Sequence, residues 1–296
     1  MQQAARAEPM PGIYKFRTSR LALWALWLAR LTIPVAILSF LLMRFWGLHP
    51  SIAVYCFGAS IAMALLSILV CLAAFPAIWF DGQIGGKRLW GTFLRSLLII
   101  LPALALSYFY FSRPAFSDLS TNPIDPPEFV TSWQVRQDAD NSLDLASLSV
   151  REQQALAYPE LESKKIEQPI ALMHLLVLDE LQKQKWELLY ISDLKDSRSG
   201  SRFEAYIRSM ITGLRYVVSV RLRADGEDAT ILDMRSASLW GLHDLGSNAS
   251  RITSFMLSVD QRLSQSVKHF ELKLEEIERQ QRLERGPLPR PKPKKL

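Results

Sequence analysis

Three long apolar runs, 25–46, 52–79 and 90–111, fill the first third of the chain, and after Phe111 the pattern turns polar and charged. Each run is long enough to cross a hydrocarbon core of roughly 30 Å as a helix. The pattern predicts a short N-terminal segment (1–24), three transmembrane helices, and a segment at 112–128 rich in Pro, Asp, Ser and Asn that reads as an extended linker.

The remainder reads as one soluble domain over 129–284. A strand is expected at 129–135 and a helical turn at 153–158, ended by Pro159. Pro169 suits a helix start, and Ile170, Met173, Leu176, Val177 and Leu181 continue an apolar stripe to about Lys185. Four segments rich in β-branched or aromatic residues follow, at 186–191, 202–211, 214–223 and 230–238. In the third of these, Tyr216, Val218, Val220 and Leu222 alternate with Ser219, Arg221 and Arg223. A last stripe, Ile252, Phe255, Val259, Leu263 and onward, predicts a helix capped by Ser247 or Asn248 and running to about Glu284. Such a helix outruns a small sheet, so its second half is expected to project or to pair in a homo-oligomer. The expected fold is therefore a three-helix transmembrane region followed by an α+β domain. That domain has an antiparallel sheet of about four strands packed by two helices, helix-grip-like, with a long C-terminal helix.

Charge refines this picture. The chain is +6 overall, but the sum hides three unlike parts. Residues 1–111 hold nine Lys/Arg against Glu8 and Asp81, residues 112–284 hold 21 Lys/Arg against 27 Asp/Glu, and the Pro-rich tail 285–296 adds five cations. The soluble domain is acidic, which argues against nucleic-acid binding. The tail is expected to be extended, and either simply solvated or in contact with anionic lipid or an envelope polymer. Cations cluster before the first span and at Lys87 and Arg88, whereas the 47–50 connection has none. Cytoplasmic loops collect Lys and Arg, so the N-terminus and second loop are expected in the cytoplasm and the large domain on the far side. In a bacterial inner membrane that side is the periplasm. Membrane lipids are the first expected partners. No Asp or Glu lies inside a span, so Arg30, Arg44 and Arg95 read as snorkelling side chains rather than an ion path.

No cofactor or metal motif stands out. Cys56 and Cys71 both fall in the second span, about 22 Å apart along a helix, too far for a disulfide. Asp81–Lys87 lacks the phosphate-loop spacing, and His174 and His269 lack zinc spacing.

The most characteristic stretch is 234–248, MRSASLWGLHDLGSN. It resembles the R-S-x-S-x-x-G-x-x-D-x-G-x-N signature of the domain of unknown function 1499 family, at Arg235, Ser236, Ser238, Gly241, Asp244, Gly246 and Asn248. The three-span N-terminus, the 120–129 segment and Ala157-Tyr158-Pro159 are similar to members that carry membrane spans. One departure stands at Tyr216 and Val217, where many relatives show an acidic pair. The family implies the architecture and no activity. Read physically, the motif ends a strand, turns and caps a helix, with Asp244 and Asn248 able to accept backbone N–H bonds and Arg235 able to pair with Asp244. A helix N-terminus beside Arg235 would also suit an anionic ligand, making Arg235, Ser236, Ser238, Asp244 and Asn248 the candidate binding residues. A hydrolase would instead use His243-Asp244 with Ser236 or Ser238, but no nucleophile-elbow pattern is present. The sequence thus points to a non-enzymatic multi-pass membrane protein whose exported domain binds an envelope protein or anionic ligand, with a membrane-tethered hydrolase as the alternative.

Overall fold

The structure, a computed structural model, describes residues 17–192 and 200–265. The expected extension of the last helix beyond 265 and the basic tail lie outside them. The chain divides into two compact units, one of Met1–Ser112 with Met210–Gly213, the other of Arg113–Ser209 with Leu214–Leu296.

The first unit holds α1 (Arg20–Phe45), α2 (Pro50–Trp79) and α3 (Gly86–Ser112), all long and apolar enough to cross a membrane. They outrun the apolar stretches because polar residues cap them. Ser19 Oγ accepts the Ala22 N–H at 3.3 Å, and His49 Nδ1 accepts the Ser51 N–H with Pro50 in the first turn. The bundle is small inside and large outside. Ala25, Ala29, Thr32, Ala36 and Ser39 are buried on α1, Ala53, Ser60, Ala64, Ser67 and Ala74 on α2, and Thr92 and Ser96 on α3. Leu and Trp side chains such as Trp24, Leu31, Leu69 and Leu98 face outward. Lipid tails are as apolar as leucine, so membrane helices gain from close backbone approach and interhelical hydrogen bonds rather than from hiding large side chains. The Ser67–Ser96 hydroxyl pair, 2.7 Å apart, is one such bond. Backbone bonds from Ser19 to Ile84 and from Ile84 to Arg17 hold the approach to α1 and the α2–α3 turn at one end of the bundle. The two basic segments therefore share an end.

The second unit is built on an antiparallel sheet of β1 (Asp118–Ser120), β2 (Lys164–Ile166), β3 (Glu187–Ile191), β4 (Ser201–Arg208), β5 (Arg215–Ala224) and β6 (Thr230–Ser238), with α4 (Leu148–Ala157), α5 (Ile170–Lys183) and α6 (247–265). The strand order is β1-β6-β5-β4-β3, with β2 also on β6. The three longest predicted strands and β3 are present. The expected count of four is corrected to six, because β1 and β2 are three-residue strands with no alternation of their own. Both pair antiparallel with β6. The segment 112–128 thus joins the sheet through β1. The strand expected at 129–135 is also corrected: Ser132–Val135 is a 3-10 helix. Tertiary contact overrides its β-branched composition there, since the buried Glu204 carboxylate on β4 accepts the Val130, Thr131 and Ser132 N–H groups and the Ser132 hydroxyl at 2.6–3.0 Å. The turn expected at 153–158 is the end of the longer α4.

The sheet has two differently covered faces. Val218, Val220 and Leu222, with Phe203, Leu232 and Met234, pack under α5 (Met173, Val177, Leu181) and α6 (Ile252, Phe255, Val259). The opposite face carries Glu204, Ser219, Arg221, Asp233 and Arg235, and segments of 118–144 lie over it through Phe129, Leu143 and the hydrogen bonds of these polar groups. The alternation along β5 therefore separates an apolar core from a polar layer of buried Ser219 and the partly covered, ion-paired Arg221 and Arg223. The last helix spans 19 described residues, and a long C-terminal helix is not among them.

Candidate functional site

The signature stretch sits where β6 ends and α6 begins, and the alternation of β6 sends its side chains to both faces. Ser236 and Ser238 lie on the helix side. Ser236 Oγ donates to Asn248 Oδ1 at 2.8 Å, and Asn248 Nδ2 donates to the Ser117 carbonyl and to Ser238 Oγ at 2.9 and 3.0 Å. Arg251, one turn along α6, donates to Ser236 Oγ and Asn248 Oδ1 at 2.9 and 2.7 Å, and its guanidinium lies 4.0 Å from the Tyr216 ring centre. Burial pulls the Arg251 pKa below its usual value. Asn248 thus fastens β6, the entry to β1 and α6 to one another. It does not cap the helix. That role falls to Asp244, whose carboxylate accepts the Gly246 and Asn248 N–H groups at 2.8 and 2.5 Å.

Arg235 points to the other face, and the expected pair with Asp244 is replaced by one with Asp118. A one-residue step along a strand reverses side-chain direction, so Arg235 cannot share the helix face with Ser236. Its Nε and Nη2 meet the Asp118 carboxylate at 2.6–3.1 Å, and the remaining donors reach the Pro127, Leu143 and Asp144 carbonyls at 3.1–3.3 Å. The guanidinium also lies 4.5 Å from the Phe129 ring centre. Only 2% of Arg235 is exposed. All three of its guanidinium nitrogens donate to protein acceptors, so the geometry assigns it to holding strand β1 and the 127–144 crossing onto the sheet.

The five candidate binding residues are therefore all buried, with Asp244 the most exposed at 8%. The structure does not bring them to one surface. His243 sits apart from the serines: its Nδ1 accepts the Leu245 N–H at 2.9 Å, which leaves Nε2 protonated and donating to the Arg113 carbonyl at 3.0 Å. Ser236 and Ser238 are bonded to Asn248 instead, so the geometry shows no serine–histidine relay in this turn. Gly246 is required twice over. Its φ is +80°, and a Cβ there would lie 2.5 Å from the Arg113 guanidinium, which donates to the Leu245 carbonyl.

Among the hollows the domain opens to solvent is a groove along α6, which the sequence did not single out. Two adjoining hollows of about 360 and 290 Å³ share Glu160 and Thr253. Ser250, Thr253, Ser254 and Met256 of α6 form one wall, and the 158–164 segment forms the other. Lys164 and Asp260 form an ion pair at its far end. The Tyr158 phenol on its rim has a pKa raised by burial and then by the Asp244 charge. Residues at 158–164 are far from α6 in sequence, and β2 pairing with β6 is what brings them alongside; no local pattern reveals that. Among the described residues no group of three or more His, Cys, Asp or Glu side chains is placed to hold a metal.

The model of the family described as "Protein of unknown function (DUF1499)" matches residues 118–259, which are thus a DUF1499 domain. No curated protein matches the sequence significantly.

Proposed function

We propose that this chain, a DUF1499 domain behind three candidate membrane spans, is a non-enzymatic inner-membrane protein whose domain stands in the periplasm and binds an envelope partner or ligand. The observation that carries the reading is the division of labour around α6. The signature side chains are buried and bonded within the domain, while the flank of the helix is an open groove where hydroxyls and carboxylates stand among apolar side chains such as Met256 and Leu257. Binding residues stand on surfaces, and a constellation bonded internally acts on the fold. Topology supports the side of the membrane: the basic segments before α1 and between α2 and α3 share one end of the bundle, and that end is cytoplasmic by charge. Three crossings then export the domain.

The test is site-specific photocrosslinking in living cells. A photoreactive residue at Thr253 or Ser254 should yield a discrete adduct that the same group at Leu172, on the outer side of α5, does not. Absence of any adduct along the groove, or equal adducts at Leu172, would refute the binding surface. A reporter fused after Leu296 should be active only in the periplasm, and activity in the cytoplasm would refute the orientation.

A further inference from the structure

We propose that the end of the soluble domain bearing the 239–246 turn lies on the bilayer, with the tips of two turns seated among anionic lipid headgroups. Three independent observations converge on that end. The first is connectivity. Helix α3 ends at Ser112, and the very next residue holds the turn from both sides, through the Arg113 guanidinium on the Leu245 carbonyl and the Arg113 carbonyl on His243 Nε2. A membrane helix ends at the interface, and α3, with 27 residues or about 40 Å, is longer than the hydrocarbon core. The turn is thus bonded to a residue at headgroup level.

The second is register. Ser238, the last residue of β6, pairs with Tyr216, and the β4–β5 hairpin closes through Arg208 and Arg215. The 209–214 turn therefore extends from the same end of the sheet. The third is the chemistry of the two turns. Met210, Ile211 and Leu242 are 87%, 76% and 82% exposed. No acid occurs within 208–215, and Asp244, the one acid of the second turn, is buried and bonded to the Gly246 and Asn248 N–H groups; Arg208 and Arg113 flank the tips, Arg215 is paired with Asp140, and Trp240 lies within the second turn. Apolar tips flanked by Arg208 and Arg113, with a tryptophan beside them, match an interface of acyl boundary below and anionic headgroup above.

The matched control is Ile124, equally exposed at 86% but beside Asp125, whose carbonyl accepts from Arg221. Arg221 lies six residues up β5 from Arg215, roughly 20 Å from the proposed interface. The experiment uses the full chain carrying Cys56→Ser and Cys71→Ser, reconstituted in nanodiscs of phosphatidylethanolamine and phosphatidylglycerol. An environment-sensitive fluorophore is attached at Ile211→Cys, Leu242→Cys or Ile124→Cys. Lipids spin-labelled near the headgroup should quench positions 211 and 242 at least threefold more than 124. Equal, solvent-like quenching at all three positions overturns the proposal. In nanodiscs of phosphatidylcholine alone, quenching at 211 and 242 should fall by at least half, and an unchanged value overturns the assignment of anionic headgroups.

Discussion

Replacing Arg235 with methionine should unfold the domain more readily than any other single change in the signature. The side chain keeps its length and loses every donor. Left behind are the Asp118 carboxylate, which had three contacts at 2.6–3.1 Å, and the Pro127, Leu143 and Asp144 carbonyls. Removing one partner of a buried ion pair costs about 3–5 kcal/mol, because the survivor stays desolvated without compensation. Asp118 is 23% exposed on its side chain, so water reaches part of it and the lower end, about 3 kcal/mol, is the expected value. For a domain of this size that corresponds to a fall in Tm of roughly 6–12 °C. Near-UV circular dichroism melts of the purified full chain would read it, since the lost contacts fix Phe129 and the crossing that carries Trp133. The double variant Arg235→Met/Asp118→Leu should recover part of the loss, as both charges are then gone. A single variant within 1 °C of the parent, or a double variant no more stable than the single, would refute the assignment of Arg235 as the clamp of the loop-covered face.

Asp244→Ala removes the acceptor of two N–H groups at the start of α6 and should cost about 1–2 kcal/mol, measured by the same melts, with Asp244→Asn losing less. An unchanged Tm would shift Asp244 from a capping to a ligand-facing role. His174 supplies a pH dependence. Burial lowers its pKa from 6.5, so the unfolded chain binds the proton more tightly than the folded one. This contribution to stability is full above about pH 6.5 and is lost as pH falls below that value. His174→Asn should flatten the Tm profile between pH 5 and 7, and an identical slope in parent and variant would contradict the assignment.

Local patterns carried the parts of this protein whose stability is local. Apolar runs exposed the three spans, because a helix satisfies its own backbone hydrogen bonds inside a bilayer and needs only length and hydrophobicity to be recognised. Strands β4, β5 and β6 were visible through composition and alternation, and α5 through its stripe. The inner faces of the spans were written in the sequence too, as Ala25, Ala29, Thr32, Ala36 and Ser39, a spacing of three and four. It is readable once small rather than large residues are sought at the interface.

Partners distant in sequence were another matter. Strands β1 and β2 exist because β6 offers them an edge, and the 3-10 helix at Ser132 exists because Glu204, some seventy residues on, caps it. Arg235 and Ser236 are neighbours in the chain yet serve opposite faces of the sheet, one clamping β1 and the crossing, the other bonded to Asn248. The sequence by itself determined that the chain has a membrane-spanning third and an acidic α+β remainder, and which stretch joins strand to helix. Tertiary structure alone decided which partners the residues of that stretch bond to, since hydrogen-bond partners more than a hundred residues apart are chosen by packing, and no periodicity of a single strand records them.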